Sequence, residues 1–216
     1  MNNLFDVMNE IDGRAPQTQR ITGVMIGVVT NNKDEEKLGR VKVRYPSLGK
    51  EDESNWARIA APMAGKERGI YFLPEVEDEV LVAFELGDMR FPVIIGSLWN
   101  GKDAPPETND NGDNNVRVIK SRSGHVIRLN DEKDKEKIEI IDKSEKNSIV
   151  FDTANNTITI TTEQDIMISA PKGKITLDAK ELEIKSSDAA NIKSGAGMDV
   201  EASSTMNIKG STVNIN

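Results

Sequence analysis

The chain has 216 residues, of which 37% are apolar and 30% charged, and it carries a net charge of -8. This length allows one large domain, or a small domain with an extension, and a closed trimer would triple the negative charge, which argues against a polyanion as main partner. With no cysteine and a single histidine, His125, disulfides, thiol catalysis, multi-histidine metal sites and histidine relays are excluded.

The opening MNNLFDVMNEIDG is acidic by position 6 and has no continuous apolar core, so it does not read as an export signal. Nowhere does an apolar run reach the roughly 20 residues a membrane helix needs, and the product is expected to begin in a cytoplasm without a signal peptide. Within residues 1–19, Leu4, Phe5, Met8 and Ile11 fall at roughly helical spacing, and Gly13 and Pro16 end the pattern. Such a short helix is marginal without a surface to lie on, which leaves a docking segment and a disordered arm both open.

Residues 20–99 read as a compact β domain. ITGVMIGVVT, GRVKVRYP, NWARIAAP, GIYFLP, DEVLVAFELG and FPVIIGSLW are short, rich in Val, Ile or aromatics, and bounded by Gly, Pro or charged turns. Val41, Val43 and Tyr45 alternate with Arg40, Lys42 and Arg44, the period of a strand with one wet face. DEVLVAFE is apolar almost throughout, which predicts a central strand covered on both sides. Short strands without a long helix fit a small closed barrel, because closure removes exposed edges.

Residues 100–115, NGKDAPPETNDNGDNN, form a polar linker carrying Pro105 and Pro106. Residues 116–157 predict hairpin-like strands around Val126/Ile127/Leu129, Ile138/Ile140 and Ile149/Phe151, with the charged runs as solvated turns. From residue 158 to 216 the pattern becomes a repeat. The apolar pairs are Ile158/Ile160, Ile166/Ile168, Ile175/Leu177, Leu182/Ile184, Ala190/Ile192, Met198/Val200, Met206/Ile208 and Val213/Ile215, with first members 8, 9, 7, 8, 8, 8 and 7 residues apart. Each unit holds one short strand and one turn, and one such strand cannot bury its own face. Two modest inward side chains per strand, and no aromatic after Phe151, suit a slender prism shared by three chains, with the paired residues from Ile158 to Ile208 on its axis. Eight strands stacked at the usual strand spacing make a rod on the order of 40 Å long. An ordinary antiparallel meander is the plainer alternative.

GRVKVRYP, EDESNWARIAAPMAG, RGIYFLPEVEDEVLVAFELGD and FPVIIGSLWNGKDAPP resemble the baseplate assembly protein V and VgrG-type spike family of contractile phage tails, tailocins, type VI secretion machines and related injection particles. The resemblance covers residues 20–216 and is densest over 40–105. It implies an all-β chain: an OB-like barrel followed by an intertwined trimeric β-helix, a β-prism needle. It further implies a spike that plugs the inner tube and is driven through the target cell envelope when the sheath contracts, as a component of a phage-tail or injection-particle baseplate. Longer spikes carry a hub domain for which 216 residues leave no room, so a separate baseplate hub protein is expected, contacted by Leu4, Phe5, Met8 and Ile11. The 16-residue linker holds no lysozyme insert. The terminal GSTVNIN lacks the His-x-His pair of metal-sharpened tips, and the resemblance then implies a separate PAAR-type tip protein seated on Val213, Asn214, Ile215 and Asn216.

The local chemistry asks for no cofactor, metal or catalytic residue. His125 reads as a hydrogen-bonding residue at a strand start. The acidic clusters 51–53, 75–79 and 131–136 lack the Asp-x-Asp-x-Gly pattern of a calcium loop and read as charged turns. Gly195 and Gly197 read as turn residues. Two other functions stand beside the spike. One is an OB-fold module for single-stranded nucleic acid, using Arg40, Lys42, Arg44, Tyr45, Trp56 and Arg58. The other is a trimeric polysaccharide-degrading tail fibre. Trp56 and Trp99 are expected in the barrel or at an interface, and no nucleic-acid partner is expected.

Overall fold

The computed structural model describes residues 20–49 and 52–215. It divides after Gln164 into two compact units.

The first unit begins with an OB-like curled sheet. Its strands are β1 (Val24–Asn31), β2 (Lys42–Arg44), β3 (Arg58–Ile59), β6 (Glu79–Phe84) and β7 (Pro92–Ser97), in the order β2-β1-β6-β7-β3. The pairs are antiparallel except β3 with β7, which is parallel. Register shifts at Val29/Asn31 and at Leu81/Val82 bend the strands, as bulges do in closing sheets. An antiparallel bridge between Val41 and Ala57, with hydrogen bonds of 3.1 and 2.7 Å, ties the segment entering β2 to the segment entering β3. The two edges of the sheet are thereby brought together.

The core is small and consists of Val29, Val41, Val43, Tyr45, Ala57, Val80, Val82, Phe84 and Ile94. Val41, Val43 and Tyr45 face inward and Arg40, Lys42 and Arg44 outward, as the alternation requires. Gly27 sits where β1 is squeezed between its neighbours; a Cβ there would lie 3.1 Å from Val82 and 3.2 Å from Val43. Burial pushes the Tyr45 phenol up to about 12. β6 is central, as its apolar run predicts, but it is not covered on both sides. Val80, Val82 and Phe84 are buried while Leu81 and Ala83 are half-buried, because a curled single-layer sheet offers the strand only one interior.

Within GIYFLP, Ile70 to Pro74 form no strand. The place of the expected strand is taken by a hairpin, β4 (Ala64–Gly65) with β5 (Arg68–Gly69), turning at Lys66 and Glu67. Glu67 has φ 54°, and a Cβ on Gly69 (φ 154°) would meet the Met63 carbonyl at 2.6 Å, so this turn requires glycine.

Residues 100–115 contain no strand. Beyond them lies a five-stranded antiparallel meander in the order β12-β11-β10-β9-β8, made of β8 (Val116–Lys120), β9 (Val126–Asn130), β10 (Lys137–Ile141), β11 (Ser148–Asp152) and β12 (Thr157–Thr161). The charged runs form its turns, as expected: Asp134 and Glu145 take positive φ there. Asp142 caps the β10–β11 turn, and hydrogen bonds from Ser144 and Asn147 hold its carboxyl down to about 2.

Among the described residues, 165–215 join no strand. Turns or bends begin at 163, 171, 180, 187, 195, 203 and 211, in each case five residues after the first member of an apolar pair.

Candidate functional site: exposed apolar faces

Register determines what the meander presents. Ile127, Ile140, Ile149 and Ile160 lie directly across from one another, with Ile119 opposite Ile127 at the β8 end. A second row runs through Leu129, Ile138, Phe151 and Ile158. Both rows point to one face, since side chains of a strand alternate. These nine side chains are 36 to 66% exposed. On the opposite face Arg128, Glu139 and Val150 are half-buried. The apolar face is therefore the more exposed of the two, the reverse of a sheet that completes its own core. Phe72 and Glu75 join the first row to enclose an apolar groove of about 730 Å³. The Glu75 carboxylate accepts from Arg122 at 2.9 Å and fastens the groove's rim.

The repeat carries the same imbalance further. From Glu163 to Ile215, every residue is exposed except Ala170, which is half-buried. The residues expected on a dry axis are therefore not buried within one chain. Ile166, Ile168, Ile175, Leu177, Leu182, Ile184, Ile192, Met198, Val200, Met206 and Ile208 are 46 to 79% exposed, and Ala190 is exposed as well. The physical reason is that a single extended segment with no ladder of its own brings no second strand over its apolar side. The second members of the early and late pairs, Ile168, Leu177 and Val200, are each about 70% exposed, more than their first members Ile166, Ile175 and Met198. Ile158 and Ile160 differ from the rest in lying within the meander, on β12, where they belong to its apolar face. At the far end Val213, Asn214 and Ile215 are exposed. Leu4, Phe5, Met8, Ile11 and Asn216 lie outside the described residues.

The barrel adds apolar surface that the sequence reading did not single out. Met63, Ile70, Tyr71 and Phe72, flanking the β4–β5 hairpin, are 41 to 74% exposed, and Leu86 is 92% exposed with φ 52°. The signal for the hairpin was available: GKERG offers a short charged turn between two glycines. Trp99 is also exposed, so it lies outside the barrel core.

The basic row offers little to a polyanion. Arg40 donates to Asp34 through Nε and Nη2, both at 2.8 Å, and this guanidinium holds the Asp34 carboxyl well below the usual carboxylate range. Lys42 pairs with Glu53 at 2.9 Å and Arg44 with Glu77 at 3.7 Å. Arg40 and Lys42 also stand over the Trp56 ring at 5.7 and 5.4 Å, covering the aromatic face that a base would stack on. His125 lies just before β9, and its Nδ1 accepts from the Lys143 amide at 3.2 Å. Among the described residues no group of three or more His, Cys, Asp or Glu side chains is placed to hold a metal ion. No helix among them is long and apolar enough to cross a membrane.

Comparison with known proteins bears on the curled OB-like sheet. Residues 25–99 match the type VI secretion system/phage-baseplate injector OB domain. The chain is 34% identical over 97 residues to the actin cross-linking toxin VgrG1 of Vibrio cholerae, covering 41% of this chain and 9% of that protein. It is 35% identical over 95 residues to the V. cholerae type VI secretion system spike protein VgrG3, covering 40% and 9%. It is 29% identical over 151 residues to the spike protein VgrG1a of Pseudomonas aeruginosa, covering 62% and 23%. The chain thus spans less than a quarter of the length of these relatives. The curled OB-like sheet lies at the residues that match this injector OB domain, and over its matched segments the chain is similar to VgrG-type spike proteins.

Proposed function

We propose that this chain is a nonenzymatic central spike of a contractile injection particle, working as a homotrimer. In this reading residues 20–99 set the threefold arrangement, 116–157 form a neck, and the repeat from 158 builds an intertwined prism that transmits compression to the target cell envelope. The pairs from Ile158/Ile160 to Met206/Ile208, with Ile168, Leu177 and Val200 among them, lose their exposure only when the other two chains close around the axis. A separate hub protein joins the spike to the inner tube through residues 1–19. A PAAR-type cap sits on Val213, Asn214 and Ile215, where two exposed apolar side chains suit it. Nucleic acid has no part in it, and the assembled location is the baseplate of a phage tail or extracellular injection particle.

The observation that carries this reading is the agreement between the apolar pairs and the bends over residues 163–215, in a segment with no ladder of its own. Backbone amides and carbonyls need partners, and apolar pairs need cover. A second chain satisfies both along the whole repeat only if it has the same period, which points to further copies of this chain. Native mass spectrometry of the full chain should give three copies. A compact monomer would overturn the trimer and the spike built on it. In particles that contain the protein, an antibody to residues 165–215 should label the baseplate end; labelling along the sheath would exclude the spike role.

A further inference from the structure

The geometry points to the β4–β5 hairpin arm, residues 60–72, as a clasp that seats on a second copy of the chain. This rests on the trimer proposed above and adds to it a contact made by the barrel rather than by the repeat.

The arm has no cover in its own chain. Every residue from Ala60 to Phe72 is exposed, although Met63, Ile70, Tyr71 and Phe72 are large and apolar. Two strands of two residues each do not hold a hairpin in water by themselves. The arm is nonetheless built to one shape: the Ile70 amide donates to the Met63 carbonyl at 3.0 Å, and glycine at 69 permits the close approach. Its root is anchored on both sides, by the Ala60 amide donating to Ile94 at 2.8 Å and by Leu73 packed on the core.

The arm's apolar side does not stop at the barrel. Phe72 lines the groove above Ile119, Ile127 and Ile140, so the arm and the meander's apolar face form one continuous surface. Together these side chains expose on the order of 1,000 Å² of apolar area, above the few hundred square ångströms usual on a monomer and close to one partner's share of a stable interface. The chemistry also suits a second copy. The patch is apolar at its centre, and the arm's turn carries Lys66 and Arg68, neither with an ion-pair partner among the described residues. The chain it would meet is acidic, at -8. A neighbour held by the shared repeat is acidic, apolar on the matching face, and present at high effective concentration.

The chain lacks cysteine, so a single introduced thiol reports one position. Full-length Tyr71→Cys and Lys66→Cys, each labelled with a benzophenone maleimide, would be illuminated in trimers mixed from isotopically light and heavy chains. Cross-links joining light to heavy peptides are expected from both sites, at least tenfold above those from a label at Thr108→Cys in the linker. The oligomer is read separately by native mass spectrometry. Trimers whose arm labels react only within their own chain, or no more than the linker label, would overturn the clasp and leave the trimer standing. Monomers would overturn both.

Discussion

Asp34 illustrates how one residue shapes a loop that composition describes only as charged. Its side chain is 3% exposed, it accepts twice from Arg40, and it also receives the backbone amides of Glu36 and Leu38. The carboxylate thereby organises the loop that leads into β2 and keeps Arg40 over Trp56. Its folded pKa lies below its ordinary value, so the stabilisation is fully present above an unfolded value of about 3.9 and is lost as pH falls through the folded one. Asp34→Asn should therefore lower the melting temperature at pH 7 and flatten its decline between pH 4 and pH 2. Parallel pH–melting curves for the variant and the wild type would show that the pair contributes nothing. The alternation of Val41, Val43 and Tyr45 was legible in the sequence because a strand's period is fixed by its backbone. The pairing of Asp34 with Arg40 was not, since any of several nearby acids has the right charge and only the turn selects one.

At the scale of the element, the proposed prism would separate inward from outward positions along the repeat. Ile192 is 79% exposed in one chain, and charged neighbours such as Glu183, which pairs with Lys185 at 2.8 Å, are exposed too. An isolated chain barely distinguishes these sites, whereas a threefold prism does so sharply. In the proposed trimer, Ile192→Asp would bring three carboxylates to a dry axis and should cost several kcal/mol per trimer, through desolvation and mutual repulsion. Glu183→Ala removes only an exposed ion pair and should change stability by less than about 1 kcal/mol. Thermal and detergent resistance of the two trimers checks this, and equal resistance would mean that the inward register is wrong. The strands β9 to β12 follow the sequence reading, because alternation and charged turns agree with each other there. β8 was missed: its alternation at Val116 and Val118 is short and follows directly on the linker. The hairpin arm was missed for a different reason, since its two-residue strands are too short to carry a period.

The whole molecule is organised around surfaces left open in one chain. Among the described residues both edges of the meander, β8 and β12, pair with a single neighbour, and β12 is an exposed, uncharged strand of Thr and Ile. Such an edge invites pairing with another chain. Truncation after Gln164 should preserve the β signal of both sheets in circular dichroism, because the cut falls at the boundary of the two units. If the proposed trimer holds, it should also weaken self-association at least tenfold, since the ladder the repeat would share between chains is gone. Unchanged association by analytical ultracentrifugation would place the trimer's affinity entirely in the barrel and meander.

The sequence by itself determined the periodic features: the alternating strands of the barrel, the charged turns of the meander, and the seven-to-nine-residue spacing that the bends reproduce. Each of these follows from local geometry, in which every second side chain shares a face and polar residues mark the turns. Only the tertiary structure decided which residues meet. It placed the Val41–Ala57 bridge that ties the sheet's edges, the one-sided burial of β6, the Trp56 ring beneath Arg40 and Lys42, and the arm whose Phe72 continues the meander's apolar face. These are contacts between segments distant along the chain. They depend on how strands bend and where an interior remains to be filled, and no local pattern encodes that.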